Sequence, residues 1–277
     1  MKPVLFFLTL IFFYSCEVIN TEEDIPSIIS IESIEVLGNH TSKITEAWVY
    51  IDDEFQGVYP LPTQFPILKN GQQDIIVEAG IKKNGISSSR DNYPYFTSYE
   101  ISTELIENQN NSLNPKVSYS VNPFPYDENF EGVGTTLEVI SDSADHVLEK
   151  IYDSSNPNFG NYYAKSVISG EYGELFECNT ANFDLPKNKA VYLEMDYKCN
   201  STIVVGIYAN GTSTVNKNAV IYLNEKEDWN KIYISLTETI INFNDAIDYK
   251  LFFAIPRDTS VTQNEMYLDN IRLVYEE

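Results

Sequence analysis

Short strand-like runs recur along this chain between clusters of turn residues. Trp48-Val49-Tyr50-Ile51-Asp52 is one, and Glu194-Met195-Asp196-Tyr197 alternates polar and apolar residues with period two. Successive strand side chains point to opposite faces, so this alternation predicts strands with one buried and one wet face. Further strand-like runs are Phe55–Tyr59, Asp74–Ala79, 162–168, 191–197, 203–208, 220–223, 232–236, 249–254 and 266–274. Turn residues separate them. Asp52-Asp53-Glu54 and Asn210-Gly211-Thr212 read as turns, and Lys83-Asn84-Gly85-Ile86 carries the Asn-Gly signal of a tight hairpin. Pro94 demotes the extended segment beginning Tyr93-Pro94-Tyr95-Phe96 from a central strand. No helical period of convincing length occurs.

The punctuation divides the chain. Asn122-Pro123-Phe124-Pro125 is the stiffest stretch, because each proline restricts itself and its predecessor. Residues 29–121 are expected to form a small N-terminal β-sandwich, and residues 124–277, with about eight strands, a jelly-roll sandwich. The fold class is all-β, with 20 Tyr and 15 Phe suiting pleated, half-buried surfaces.

The first residues read as an address. A positive Met1-Lys2 precedes the apolar run Val4–Tyr14, which is too short to span a bilayer. Residues 1–15 are therefore expected to be a signal peptide and 16–28 a tether. Ser15-Cys16 resembles the lipobox of bacterial lipoproteins, in which the cysteine is lipidated and becomes the mature N-terminus. Phe13 and Tyr14 are bulkier than usual there. This relaxed form resembles lipoproteins of the Bacteroidota, and Glu22-Glu23-Asp24 resembles the acidic signal that sends them to the cell surface. The resemblance implies an outer-membrane location with a lipid anchor on Cys16.

Charge excludes one class of partner. The chain carries 41 acidic against 18 basic residues and a net charge of -23, which would repel nucleic acid. Beyond Cys16 the remaining cysteines are Cys178 and Cys199, both in strand-like stretches that could neighbour each other in a sheet. Outside the cytoplasm they would either pair as a disulfide or stay as two buried thiols. The two histidines, His40 and His146, sit in turn-like and polar contexts that suit neither zinc nor a Ser-His-Asp triad. Neither a Walker loop nor a Rossmann glycine motif is present.

Asn129-Phe130-Glu131-Gly132 opens the second region and Tyr267-Leu268-Asp269-Asn270-Ile271-Arg272-Leu273 closes it. With 192–197 and 228–233 between them, these phrases resemble galactose-binding-like jelly rolls, the fold of many carbohydrate-binding modules. The resemblance covers roughly the last 150 residues. It implies a structural Ca²⁺ near the paired terminal strands, for which Glu131 and Asp269 are the matching residues. It also implies a polysaccharide ligand. The first region, through phrases such as Ile44–Tyr50 and Leu61–Ile67, is similar to N-terminal β domains of Bacteroidota lipoproteins, and that similarity transfers no activity.

Trp48, Trp229, Tyr162, Tyr163 and Tyr208 are available to stack on pyranose rings. In a Tyr-rich sandwich most aromatics are core or cross-strand pairs, so none is assigned, and Trp229 reads as structural. The expectation is a non-catalytic surface lipoprotein binding an extracellular glycan through its jelly roll, with the first sandwich as spacer or docking domain. The alternative is an accessory subunit of an outer-membrane protein assembly.

Overall fold

The computed structural model describes residues 24–140, 146–155, 160–169 and 173–277. Cys16, the signal-peptide stretch and most of the tether lie outside the described residues.

The N-terminal unit contains β1 (Ser27–Ile31), β2 (Glu35–Val36), β3 (Glu46–Ile51), β4 (Glu54–Pro60), β5 (Thr63–Ile67), β6 (Gly71–Lys82), β7 (Arg90–Asn92), β8 (Tyr99–Leu105), β9 (Asn110–Leu113) and β10 (Lys116–Val117). One layer holds the order β5-β1-β9 and the short parallel pair β10-β2; the other runs β4-β3-β6-β7, with β8 also paired to β6. Ile29, Ile31, Val49, Ile51, Val77 and Ile81 fill the space between the layers. The Asp52-Asp53 turn joins β3 to β4 with both residues at positive φ, as a tight hairpin of this hand requires. Tyr93–Phe96 is a turn rather than a strand, and it buries Tyr93 and Tyr95.

The C-terminal unit contains β11 (Tyr126–Glu128), β12 (Glu138–Val139), β13 (Glu149–Tyr152), β14 (Tyr162–Ser169), β15 (Leu175–Phe183), β16 (Tyr192–Cys199), β17 (Ile203–Asn210), β18 (Val215–Leu223), β19 (Lys226–Ser235), α1 (Thr237–Asn242), β20 (Asp248–Pro256) and β21 (Gln263–Val274). One sheet has the order β13-β14-β21-β16-β19 with β11 on β21; the other runs β12-β15-β20-β17-β18. The inward positions of both sheets form one core, including Leu193, Met195, Val205, Ile207, Leu251 and Phe253. This is the two-layer jelly roll. Cys178 and Cys199 are free thiols. The expectation that they neighbour each other in a sheet is corrected: β15 belongs to the five-stranded sheet and β16 to the other, because the chain crosses the sandwich between them.

A second correction concerns the face of β16 that the sequence presents as wet. Glu194 is 0% exposed and Asp196 1%. The alternation distinguishes two faces but not what covers each, and here the first sandwich lies over this one. Tyr192, Tyr233 and Val274 of the jelly roll join the hydrophobic core of the N-terminal unit. Glu194 accepts hydrogen bonds from Tyr93 (2.5 Å) and Tyr119 (2.7 Å), and Lys231 lies 3.2 Å away. Thr41 donates to Asp196 at 2.5 Å. The Asn84-Gly85 turn, both residues at positive φ, does more than close β6 onto β7. Asn84 donates its backbone N–H to the Tyr233 carbonyl and accepts from the Ser235 N–H through Oδ1 (both 2.8 Å). The turn thus caps β19, an edge strand whose backbone groups would otherwise stand unpaired.

Candidate functional site

Among the described residues no further sheet packs on the outer face of the β12-β15-β20-β17-β18 sheet, and its polar side chains line a groove. Antiparallel register sets Asn182 opposite Lys250, Lys250 opposite Tyr208, and Tyr208 opposite Lys217. Partners in register share a face, so these four form one row across β15, β20, β17 and β18. A bulge between Asn179 and Asn182 puts Asn182, rather than Ala181, opposite Lys250. Thr180 holds the bulge by accepting the Leu251 N–H at 3.0 Å.

The adjacent row is Asn179, Phe252 and Gly206. A Cβ on Gly206 would stand 2.3 Å from the Asn218 carbonyl and 2.4 Å from the Phe252 ring. Glycine is what allows that ring to lie down as the floor of the face. The Phe252 and Tyr208 rings meet edge-on with centroids 5.4 Å apart.

On this face is a cavity of about 470 Å³ lined by Asn179, Asn182, Tyr208, Asn210 and Lys250, while the Phe252 ring is sealed beside it with the Lys217 ammonium 4.7 Å from its centre. Exposed Ile140 and Val215 also line it. Asn182 offers both a donor and an acceptor, Asn210 already donates to Asp248 at 2.6 Å, and the Lys250 ammonium adds a donor. Beneath them Glu177, 3% exposed, accepts from the Tyr208 hydroxyl (2.6 Å) and from Lys217 (2.5 Å). Asn179 satisfies its neighbours when its nitrogen faces Glu177 (3.2 Å) and the Cys178 carbonyl (3.0 Å). Burial and then the bond to Glu177 hold the Tyr208 hydroxyl above its ordinary pKa. Burial, the largest single influence, would lower Lys217, but its bonds to Glu177 and Tyr208 and their charges together outweigh that and raise it. The carboxylate is thus committed to fixing Tyr208 and Lys217. The residues lining the groove include no pair of carboxylates placed for acid–base work.

The other candidate aromatics lie elsewhere. Tyr163 and Trp229 come together on the opposite sheet with Tyr267, their ring centroids 5.4–6.4 Å apart. Lys198 lies 4.2 Å from the Tyr267 ring centre and 5.6 Å from that of Trp229, and Lys217 lies 5.3 Å from that of Tyr208, so an ammonium stands by the rings of both faces. Tyr162 packs against the jelly-roll core beneath Lys150. Trp48 packs on Phe55 and against Gly80 in the N-terminal unit. His40 meets Tyr119 and Phe124 edge-on at the junction, and His146 is buried.

Of the two acids matched to calcium, Glu131 accepts the backbone N–H groups of Asn161 (2.6 Å) and Tyr162 (2.8 Å). Asp269 is fully buried; its Oδ1 accepts the Asn270 N–H at 2.7 Å, while Oδ2 has no hydrogen-bond partner. Burial, reinforced by the negative charge of Asp196 and Glu131, pushes the Asp269 carboxyl up to about 8. No group of three or more His, Cys, Asp or Glu that could hold a metal occurs among the described residues.

Sequence reading named Tyr208 as available but missed its companions. The signal was present as polar residues two apart on strands with apolar neighbours: Glu177 with Asn179, Tyr208 with Asn210. Which strands lie side by side, and so which polar positions meet, was not in it.

No family model and no curated protein matches the chain. Among solved structures, it is similar to one described under the promiscuous specificity of carbohydrate-binding modules from the β-sandwich superfamily: 13% identity, TM-score 0.43, covering 84% of this chain and 86% of that one. A family 11 carbohydrate-binding module from Clostridium thermocellum, in complex with a β-1,3-1,4-mixed-linked tetrasaccharide, is 14% identical with TM-score 0.38, covering 53% of this chain and 92% of that one. A xylan-binding domain of family 22 is 13% identical with TM-score 0.37, covering 55% and 94% respectively. Likenesses of this degree assign no residue here.

Proposed function

We propose that this chain is a non-catalytic, surface-exposed lipoprotein of the outer membrane, anchored through Cys16, that binds an extracellular glycan in the groove of its jelly roll. The row Asn182-Lys250-Tyr208, in register across β15, β20 and β17 and lining the cavity, carries the reading. Sugars present hydroxyls that donate and accept along an apolar ring; the Asn182 and Asn210 amides, the Lys250 ammonium, the Tyr208 ring and the exposed apolar Ile140 and Val215 match both features.

A glycan array, followed by calorimetry on the best binder, tests this. Tyr208→Ala and Asn182→Ala should each weaken binding at least about tenfold, the loss of roughly one good polar or stacking contact. Trp229→Ala should leave it unchanged. Retention of no glycan by the wild-type chain, with an outer-membrane protein co-purifying, would favour the accessory-subunit role instead. For the anchor, mass spectrometry of native material should find acylated cysteine at the mature N-terminus, and an unmodified Met1 would refute it.

Calcium at Glu131 and Asp269 is a separate proposal, supported by the unpartnered Oδ2 of Asp269. With Glu131 already held by two amides, further oxygen ligands would have to come from carbonyls or water. Calorimetry on chelator-treated protein should show heat on adding calcium that is lost in Asp269→Ala; no heat in the wild type removes the proposal.

A further inference from the structure

A second cavity, of about 310 Å³, lies where the two sandwiches meet, walled by the β6–β7 turn on one side and the β18–β19 hairpin on the other. Its charge is opposite to that of the protein. Lys43, Lys82, Lys226 and Lys231 line it, and no Asp or Glu does. The chain has 41 acidic residues and 18 basic ones, so a wall with four of those cations and no carboxylate runs against the composition.

Lys231 is buried and compensated from behind by Glu194 at 3.2 Å and Asp196 at 3.9 Å. The other three are not so paired. Lys43 donates to the neutral Asn230 Oδ1 at 2.5 Å. Lys82 and Lys226 have no carboxylate partner among the described residues. Burial, then the positive charges of Lys226 and Lys82, lower the Lys43 pKa, so these ammonium groups act on one another through a shared space. Like charges held together around a concavity focus a positive potential into it. Asn84, Asn224 and Asn230 add neutral polar groups to the wall, and the Tyr197 and Tyr222 side chains add ring surface.

We propose that this junction pocket binds a small organic anion, a sugar or similar molecule presenting a carboxylate or sulfate to Lys43, Lys82 and Lys226. The volume is at the small end of ligand pockets, which run from roughly 300 to 1,000 Å³. It lies apart from the glycan groove, on residues the groove does not use, and so stands independently of that assignment. Both sandwiches supply its walls: Lys43 and Lys82 come from the first, Lys226 from the second.

Isothermal titration calorimetry on the full chain in detergent tests this with three probes: galacturonate, inorganic sulfate and neutral galactose. The expected result is heat with galacturonate or sulfate, none from galactose at the same concentration, and loss of that heat in about 0.5 M sodium chloride. Lys82→Gln and Lys226→Gln should each weaken anion binding by on the order of tenfold, the scale of one charge-assisted contact. Both side chains reach solvent, so neither variant should lose the fold, and an unchanged thermal midpoint checks that. Lys82→Arg should restore binding. Tyr208→Ala should leave anion binding intact. Absence of heat with every anion, or lysine variants that bind as the wild type does, would overturn the pocket. Anion binding that depends on Tyr208 and not on the lysines would also overturn it, while leaving the groove standing. Conversely, loss of the groove's glycan binding has no bearing on the lysine variants.

Discussion

Glu194 tests whether the two sandwiches fold as one body. Its carboxylate is fully buried and receives two tyrosine hydroxyls from the N-terminal unit, and the 3%-exposed ammonium of Lys231 lies 3.2 Å away. At an effective dielectric constant of about 20, a pair at that separation gains roughly 5 kcal/mol of gross Coulomb energy, set against desolvation of both ions. Glu194→Gln keeps the shape and removes the charge. Lys231 is then left with Asp196 alone, at 3.9 Å, and the two tyrosines lose a charged acceptor. Breaking a buried pair costs about 3–5 kcal/mol; the surviving Asp196 contact puts the expected loss near 3. The double variant Glu194→Leu with Lys231→Met leaves Asp196 buried without its ammonium, so only the triple variant that adds Asp196→Asn should be less destabilised than Glu194→Leu alone. The assay is urea unfolding followed by fluorescence. The chain has two tryptophans, Trp48 in the first sandwich and Trp229 in the second, so Trp48→Phe and Trp229→Phe each isolate one unit. In an otherwise wild-type background both probes should report one midpoint, and Glu194→Leu should separate them. A cost under about 1 kcal/mol for Glu194→Gln, or separate midpoints without any junction change, would refute the reasoning.

Other outcomes follow from the core. Gly206→Ala should lower stability by about 1–3 kcal/mol and weaken glycan binding together, since its methyl would displace Phe252 or the β18 backbone; calorimetric melting and array binding check both. Burial pushes the Cys199 thiol up to about 11 and Cys178 further. The thiolate is the reactive form, so both should resist alkylation of the native protein near about pH 8 and react at once in denaturant; Cys199 should gain reactivity first as the pH rises. Intact mass should be the same with and without reductant. Asn84→Ala should cost about 1–2 kcal/mol through the unsatisfied Ser235 N–H and because alanine tolerates φ 56° less well than asparagine, read as a lower urea midpoint.

The strands were legible because alternation is local. Val49 and Ile51, or Leu193 and Met195, face a core wherever they are placed, since burying one face of a strand needs only its own period. Turn chemistry was legible for the same reason: Asp52-Asp53 and Asn84-Gly85 are among the few residue pairs that accept two successive positive φ angles cheaply. The stiffness of 122–125 was legible because its prolines restrict it without help from neighbours, whereas the packing of Phe124 against the first core was not.

What tertiary structure alone decided concerns the polar face. Glu194-x-Asp196 and Glu177-x-Asn179 look alike in the chain, each a pair of polar residues on the side away from the core. One pair is sealed beneath a second sandwich and neutralised by Lys231, while the other underlies an open groove. Likewise Lys43, Lys82 and Lys226 are scattered through the sequence, and nothing local gathers them around one cavity. Period and propensity act over a few residues. Which face is covered, and which charges share a space, depends on strand order and on how the two sandwiches meet, and that is set by long-range pairing.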